Sequence, residues 1–213
     1  MNFRCLILLG LLWPAWAVAS HKPRNPQRLL GKPMPTLRGT TLRGTRVDSS
    51  FFARKVTLLN FMYIGCRPCM AEAPVLRAVQ RHYAAEQAFQ MLTVAPHTTG
   101  QLRDFYARNK SMLSRLRQYL QLDSATQEVL PACARAAHRE ENSIGPECTT
   151  IAHDFYLEAY PLTVLIDKKG VVRKVMSGFA IAPADSGTVR QNSAEQQRFT
   201  LEWQTSINTL LQE

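Results

Sequence analysis

The chain has 213 residues, of which 46% are hydrophobic, and its formal net charge at pH 7 is +10. A chain of this length and hydrophobic content can bury one good core, and no repeat or low-complexity tract divides it, so we expect a single elaborated domain. Because Lys and Arg are spread along the chain and not clustered with aromatic residues, we expect a solvated basic surface and no nucleic-acid partner.

The first 19 residues are typical of a cleaved secretory signal peptide. An apolar run begins at about Leu6 and is followed by small residues, the last of them Ala19, that suit signal peptidase. The alternative is a retained membrane anchor, but Pro14 interrupts the run, which is shorter than the ~20 apolar residues of a spanning helix. We therefore expect export to the periplasm. Cleavage removes Cys5, and an even set of cysteines in an exported chain favours disulfide chemistry; the set is Cys66, Cys69, Cys133 and Cys148.

The first half of the mature chain predicts alternating strands and helices. Residues 20–36 contain four prolines and predict an extended segment, and residues 37–48 predict a short hairpin. The continuous apolar runs at 56–64 and 89–96 are typical of strands buried on both faces. Helical spacing follows each run, at 66–84 and at 101–109.

The second half predicts an insertion and then a return to the sheet. Residues 110–150 are polar and largely helical in pattern. Residues 162–167 and 171–179 flank a KKG turn and predict a hairpin. Residues 194–211 predict an amphipathic helix, whose apolar face carries Phe199, Trp203, Ile207 and Leu210. The order of elements predicts an α/β domain with a mixed sheet, spanning residues 37–213.

The segment GCRPCMAEAP at residues 65–74 contains a CxxC pair, which is found in three kinds of site. A zinc site needs four ligands, and this sequence has neither a second CxxC nor two closely spaced histidines. A structural bridge between such close cysteines would restrict the unfolded chain little. We therefore favour a redox-active dithiol and expect no bound metal or cofactor.

The position of the pair favours this interpretation. At the start of a helix, the sulfur of Cys66 would face free amide groups and the positive end of the helix dipole, and Arg67 adds positive charge. Both effects lower a thiol pKa and favour the nucleophilic thiolate. Cys69, one turn later and less exposed, would then be the resolving thiol that attacks the mixed disulfide.

CRPC after a buried strand, Pro74 five positions beyond the second cysteine, and AYPLTVLIDKKG downstream resemble the thioredoxin-fold oxidoreductases. More narrowly, LGKPMPTLRGTTLRGTRV leading into VTLLNFMYIGCRPCMAE is similar to the exported TlpA/ResA type of redoxin. The similarity covers about residues 30–110 and 151–211. It implies a thioredoxin-like fold with a helical insertion at 110–150, and a thiol:disulfide oxidoreductase activity that in this type often serves cytochrome c maturation.

The resemblance implies roles at matched positions. Pro161 corresponds to the family's cis-proline, which lies against the dithiol and aligns a substrate strand. Tyr160 would line the same groove, as would Arg67 and Pro68. Glu72 matches a family acid near the thiols, which can raise a thiol pKa by repulsion and accept the proton of the resolving thiol. Its alternative is a solvated helix residue.

The implied partners are a protein disulfide substrate, such as apocytochrome c or another exported protein, and a membrane protein that donates electrons. Two departures from the family pattern bear on this activity. Gly65 replaces the aromatic residue that usually precedes the first cysteine, with Tyr63 two positions earlier. The dipeptide between the cysteines is neither the Gly-Pro of thioredoxin nor the Pro-His of DsbA, so the direction of electron flow stays open.

Three other functions are alternatives. A copper-delivery protein of the SCO kind shares the fold, but it uses CxxxC and a downstream histidine. A peroxidase of the peroxiredoxin kind needs Thr or Ser three residues before its reactive cysteine, where Tyr63 stands. A redox-inert adaptor would have an unreactive Cys66.

Two further features lie outside the motif. Cys133 and Cys148 are expected to form a structural disulfide, which for a loop of about 15 residues contributes about 3 kcal/mol; the alternative is a relay pair that exchanges with the CxxC. His97 follows the second strand at the end where α/β sheets place their sites, although a lone histidine there is usually a loop residue.

Overall fold

A mixed five-stranded sheet lies at the centre of the chain. The computed structural model describes residues 25–106, 129–131, 146–179 and 193–213. The strand order across the sheet is β5 (Val129–Pro131), β4 (Phe89–Ala95), β3 (Val56–Phe61), β6 (Leu162–Ile166) and β7 (Val172–Ser177). β4 pairs in parallel with β3 and β5, whereas β6 pairs antiparallel with β3 and β7. The predicted α/β class with a thioredoxin-like mixed sheet is confirmed.

Helices and a small hairpin surround this sheet. The helices are α1 (Ser49–Phe52), α2 (Arg67–His82), α3 (Thr99–Tyr106), α4 (Pro146–Asp154) and α5 (Ser193–Gln212). The predicted hairpin is formed by β1 (Gly39–Thr40) and β2 (Arg46–Val47), which pair antiparallel. Of the helices described here, none is both long and apolar enough to cross a membrane.

The sheet is buried on both faces, which explains the continuous apolar runs of its central strands. On one face Val56 and Leu58 of β3 pack against α2 and α5, where Trp203 and Ile207 lie in the same cluster. On the other face Leu59 and Phe61 pack with residues of the loops and of α4. The predicted apolar face of the last helix is confirmed, since Trp203, Ile207 and Leu210 are each less than 5% exposed and Phe199 packs beside them.

Side chains alternate between the two faces of the sheet along β3 and β6, and this alternation places two polar side chains on the face that α2 covers. Asn60 follows Val56 and Leu58 on the face that α2 covers, and Thr163 lies on the corresponding face of β6 with Leu165. The antiparallel register pairs Asn60 directly with Thr163. Two buried polar groups therefore meet beneath α2, one turn from its N-terminus.

The structure differs from the sequence predictions in two segments. Part of the expected extended segment at 20–36 is a 3₁₀ turn, Pro26–Leu29, and Leu29 is buried in the core. Within the expected helical insertion at 110–150, Val129–Pro131 is instead a strand that pairs with β4. A three-residue strand shows no periodicity, which is why the sequence did not reveal it. The rest of that insertion before residue 146, and the predicted signal peptide at 1–19, lie outside the described residues.

Candidate active site

The CxxC pair lies where β3 passes into α2. Cys66 is the N-cap of α2, and its sulfur accepts a hydrogen bond from the backbone N–H of Cys69 at 3.1 Å. Pro68 stands in the first turn, where a helix needs no N–H donor. The two sulfurs are joined in a disulfide. The predicted position of Cys66 at the mouth of a helix is confirmed, and the free amides there can stabilise its thiolate once the bond is reduced.

Both cysteines are buried. Cys66 is 1% exposed and Cys69 is 5% exposed, so the prediction that Cys69 is the less exposed of the two is wrong for this oxidised state. The reason is an apolar cluster that contains both cysteines together with Met62, Met70, Ala95, Leu102, Phe105, Tyr106 and Val129. Residues of α3 and β5 thus complete the surroundings of the dithiol.

The loop between β3 and α2 turns at a glycine. Gly65 has a φ of +92°, a conformation that L residues with a side chain rarely adopt. A Cβ atom there would meet no atom within 4 Å. Backbone conformation therefore accounts for the glycine that replaces the family's usual aromatic residue, since space alone would admit a larger side chain.

Glu72 is buried on α2, one helical turn beyond Cys69. It is 1% exposed, so the alternative of a solvated helix residue is excluded. Its Oε2 accepts a hydrogen bond from Asn60 Nδ2 at 2.9 Å, and its Oε1 accepts one from Thr163 Oγ1 at 2.7 Å. Asn60 Nδ2 also donates to Thr163 Oγ1 at 2.9 Å. These bonds hold the carboxyl group in one orientation.

The surroundings of Glu72 change its acidity. Burial raises its pKa from 4.5 to about 7, and the hydrogen bonds from Thr163 and Asn60 limit the rise. Burial disfavours the ionised carboxylate, whereas donors to its oxygens favour it. A carboxyl group with a pKa near 7 exchanges its proton readily at neutral pH, as a general acid or base must.

Pro161 and two tyrosines lie at the same end of the sheet, where β3 ends and the antiparallel β6 begins. The Tyr160–Pro161 peptide bond is cis, as the resemblance predicted, and Pro161 is buried. Tyr160 packs against the apolar cluster of the cysteines. Its ring meets that of Tyr63 edge to face, with centroids 5.2 Å apart. Burial, followed by the proximity of Tyr63, raises the pKa of Tyr160 to about 12, so its hydroxyl stays protonated. Tyr63 is 40% exposed and offers an aromatic surface beside the loop.

The remaining predicted residues lie at the surface or outside the described residues. Arg67 is exposed in the first turn of α2, and Pro68 beside it is half-buried. Within the described residues, no group of three or more His, Cys, Asp or Glu side chains is arranged to hold a metal ion. The pairing of Cys133 with Cys148 lies outside the part of the chain whose side chains the structure describes, and it stays a prediction.

Comparison with known proteins gives a family match that covers most of the chain. The AhpC/TSA family matches residues 30–175, which include the dithiol, Glu72 and Pro161. The chain belongs to the AhpC/TSA family. The family match ends within β7, so α5 lies beyond it. No curated protein sequence matches the chain.

Several solved structures are similar to this family member at low identity. The thioredoxin domain of a thiol-disulfide oxidoreductase from Bacteroides vulgatus is 17% identical, with a TM-score of 0.46 over 70% of this chain and 86% of that one. A thiol:disulfide interchange protein from Chlorobium tepidum is 18% identical, with a TM-score of 0.45 over 79% and 95%. StoA from Bacillus subtilis is 15% identical, with a TM-score of 0.46 over 70% and 92%.

Sequence reasoning missed the two partners of Glu72. Asn60 and Thr163 are separated by 103 positions, so no local motif joins them. A signal was present in the strands, because each is a polar residue inside a mostly apolar buried run. A polar residue at such a position needs a hydrogen-bond partner, and a nearby buried carboxyl group is the kind of partner to look for.

Proposed function

We propose that this chain is a thiol:disulfide oxidoreductase that reduces or interchanges disulfides of exported proteins. The observation that carries the proposal is a buried dithiol at a helix N-terminus with a proton-exchanging carboxyl group one turn beyond it. A catalyst of disulfide exchange needs these two elements: a sulfur that is stable as an anion and a group that deprotonates the second thiol.

In the first step the Cys66 thiolate attacks one sulfur of a substrate disulfide. A mixed disulfide forms between Cys66 and the substrate, and the second substrate sulfur leaves as a thiolate that takes a proton from water. The free N–H groups at the start of α2 stabilise Cys66 before the attack, when its negative charge is greatest. Arg67 adds an exposed positive charge at the same place.

In the second step Cys69 resolves the mixed disulfide. Its thiol loses a proton to the Glu72 carboxylate, and the resulting thiolate attacks the sulfur of Cys66. The Cys66–Cys69 disulfide forms, as in this structure, and the substrate leaves with both sulfurs reduced. Two electrons have then passed from the enzyme to the substrate, and a membrane protein is the proposed donor that restores the dithiol.

The substrate is proposed to bind as an extended segment beside Pro161, at the end of the sheet where β6 begins. Tyr160, Arg67 and Pro68 line the proposed groove. Because Gly65 has no side chain, the exposed ring of Tyr63 lines the side of the groove next to the loop. Apocytochrome c is one candidate for the substrate. The signal peptide predicted at residues 1–19 is the reason for proposing a location in the periplasm. Sequencing the N-terminus of the protein isolated from the periplasm tests it, since cleavage should leave residue 20 first.

Trapping of the substrate tests the proposal. In a Cys69→Ser variant the second step cannot occur, so the mixed disulfide with Cys66 accumulates and can be captured from cells by acid quenching and thiol blocking. The matched control is Cys66→Ser, which retains Cys69 but lacks the attacking sulfur. We expect adducts that a reductant cleaves in the Cys69→Ser variant only. Equal adducts in both variants, or none in either with a folded protein, would contradict the proposal.

A further inference from the structure

The loop that carries Cys66 is tied to β4 by a side chain. Met62 N donates to Val94 O of β4 at 3.1 Å, which continues the parallel ladder by one bond. Two residues later, Ile64 N donates to Nε2 of His97 at 2.9 Å. The backbone of β4 has turned away by then, since His97 N donates back to Ala95 O at 2.8 Å. The imidazole therefore takes the place of the next backbone acceptor in the ladder.

This contact defines the protonation state of the ring. A nitrogen that accepts a hydrogen bond from a backbone N–H carries no proton of its own, so the neutral ring has its proton on Nδ1. The ring also hydrogen-bonds the side chain of Gln101 in α3. Gln101 is itself held at the start of that helix, where its Oε1 accepts a bond from Thr98 N at 3.0 Å. His97 thus links the dithiol loop to both β4 and α3.

We propose that His97 is a positioning residue for the dithiol chemistry, which holds Cys66 at the N-terminus of α2 through its bond to Ile64. This inference rests on the proposed function, because it concerns the reactivity of the same sulfur. Ile64 precedes Cys66 by two residues, and Gly65 between them has no side chain to restrict the backbone. Without the bond to His97 the Ile64 N–H loses its acceptor, and the position of Cys66 then depends on the remaining bonds of its own backbone, from Cys66 N to Tyr63 O at 3.2 Å and from Met70 N to Cys66 O at 3.1 Å.

The arrangement makes the position of the loop depend on pH. Burial lowers the pKa of His97, and the Gln101 hydrogen bond offsets part of this effect. When Nε2 takes up a proton in acid it becomes a donor, and the bond from Ile64 is lost. The titratable and charged groups on the neighbouring described elements are Tyr63, Arg67, Arg103, Asp104, Tyr106 and Tyr160, and none of them is a cause of the shift. Cys66 and Cys69 lie on the same elements and are joined in the disulfide, so they do not titrate in this state.

Two substitutions separate the role of the acceptor from that of the ring. His97→Leu removes the acceptor, whereas His97→Gln places an amide oxygen that can accept the Ile64 N–H and does not titrate. The measurement is the rate of Cys66 alkylation by iodoacetamide in the reduced full-length protein, from pH 5 to 9. We expect His97→Leu to slow alkylation at pH 7 by about three- to tenfold, the equivalent of one hydrogen bond, and His97→Gln to restore it to within about twofold.

A second readout does not depend on activity. In the ¹⁵N-labelled wild-type protein, the Ile64 amide signal and the His97 ring nitrogens should titrate together, with Nε2 unprotonated at pH 7. Independent titration, or a proton on Nε2, would overturn the inference.

The outcomes also separate this inference from the proposed function. If wild-type Cys66 exchanges disulfides but His97→Leu has the same alkylation profile, the role of His97 is refuted and the function stands. If His97→Leu is less stable to urea but its alkylation profile is unchanged, the role of His97 is refuted. An equal slowing of alkylation in His97→Leu and His97→Gln refutes that role as well. If wild-type Cys66 never exchanges, the function itself fails, whatever the ring nitrogens show.

Discussion

Replacing the buried carboxyl group of Glu72 by an amide should change how the stability of the protein depends on pH. Glutamine has nearly the same shape as glutamate, and it can accept one hydrogen bond and donate another within the Asn60–Thr163 pair. It does not titrate. The Glu72→Gln variant therefore removes the proton equilibrium and leaves the packing beneath α2 nearly unchanged.

The magnitude follows from the pKa of Glu72, which rises from 4.5 to about 7 on folding. Below pH 4.5 the group is protonated in both the folded and the unfolded state, so the contribution of Glu72 to stability is most favourable there. Between pH 4.5 and 7 the unfolded chain releases the proton while the folded chain retains it, and stability falls as pH rises. At about 1.4 kcal/mol per pH unit, the loss is about 3 kcal/mol.

The assay is urea unfolding of the oxidised protein at intervals from pH 4 to 8.5, followed by tryptophan fluorescence. In the oxidised form Cys66 and Cys69 do not titrate, so the ionisation of the CxxC thiols is absent from the result. The free energy of unfolding of the wild type, minus that of Glu72→Gln, should fall by about 3 kcal/mol between pH 4 and pH 8. Groups shared by the two proteins cancel in this difference.

The matched control is Glu86→Gln. Glu86 is exposed, and its Oε1 accepts a single bond from Ala88 N at 2.8 Å that an amide oxygen can also accept. Its difference from the wild type should stay nearly constant over the same range. A flat difference for Glu72→Gln as well would refute the raised pKa, and with it the assignment of Glu72 as a proton acceptor near neutral pH.

Two further substitutions test the surroundings of the site. Thr163→Val removes one donor to the Glu72 carboxylate, so the midpoint of the pH-dependent stability change should move up by about one pH unit; an unchanged or lower midpoint would contradict the hydrogen-bond geometry. Gly65→Ala forces a side chain into the left-handed region and should cost about 1–2 kcal/mol of stability, measured by urea unfolding. Its control, Gly100→Ala in α3, where a new Cβ has only Thr98 Oγ1 within 4 Å, should be neutral or stabilising, and equal effects would refute the role of φ.

The fold was predictable where one pattern dominated a long segment. The buried strands β3, β4 and β6 are continuous apolar runs, and the face of α5 that carries Trp203 repeats at helical spacing. β5 could not be predicted, because three residues show no period and their pairing with β4 is decided by packing. The turn at Pro26–Leu29 was missed because its prolines indicate only that the chain is extended or turned.

The site was predictable in its covalent motif and less so in its environment. CxxC spacing, the helix start at Cys66 and the acid at Glu72 are local features of the sequence. The bond from Ile64 to His97 and the burial of Cys66 depend on contacts between distant segments, and these form only when the sheet is assembled. Sequence alone therefore indicated the reacting groups, whereas the structure was needed to find the residues that orient them.

The central claim is that the sulfur of Cys66 is stabilised as an anion where β3 passes into α2. The most direct test is the pH dependence of its alkylation in the reduced protein, with Cys69→Ser used to isolate one thiol. We predict half-maximal reactivity at or below about pH 7.5, compared with about 8.5 for a free cysteine. A midpoint at or above 8.5, together with no exchange with any disulfide, would contradict the account.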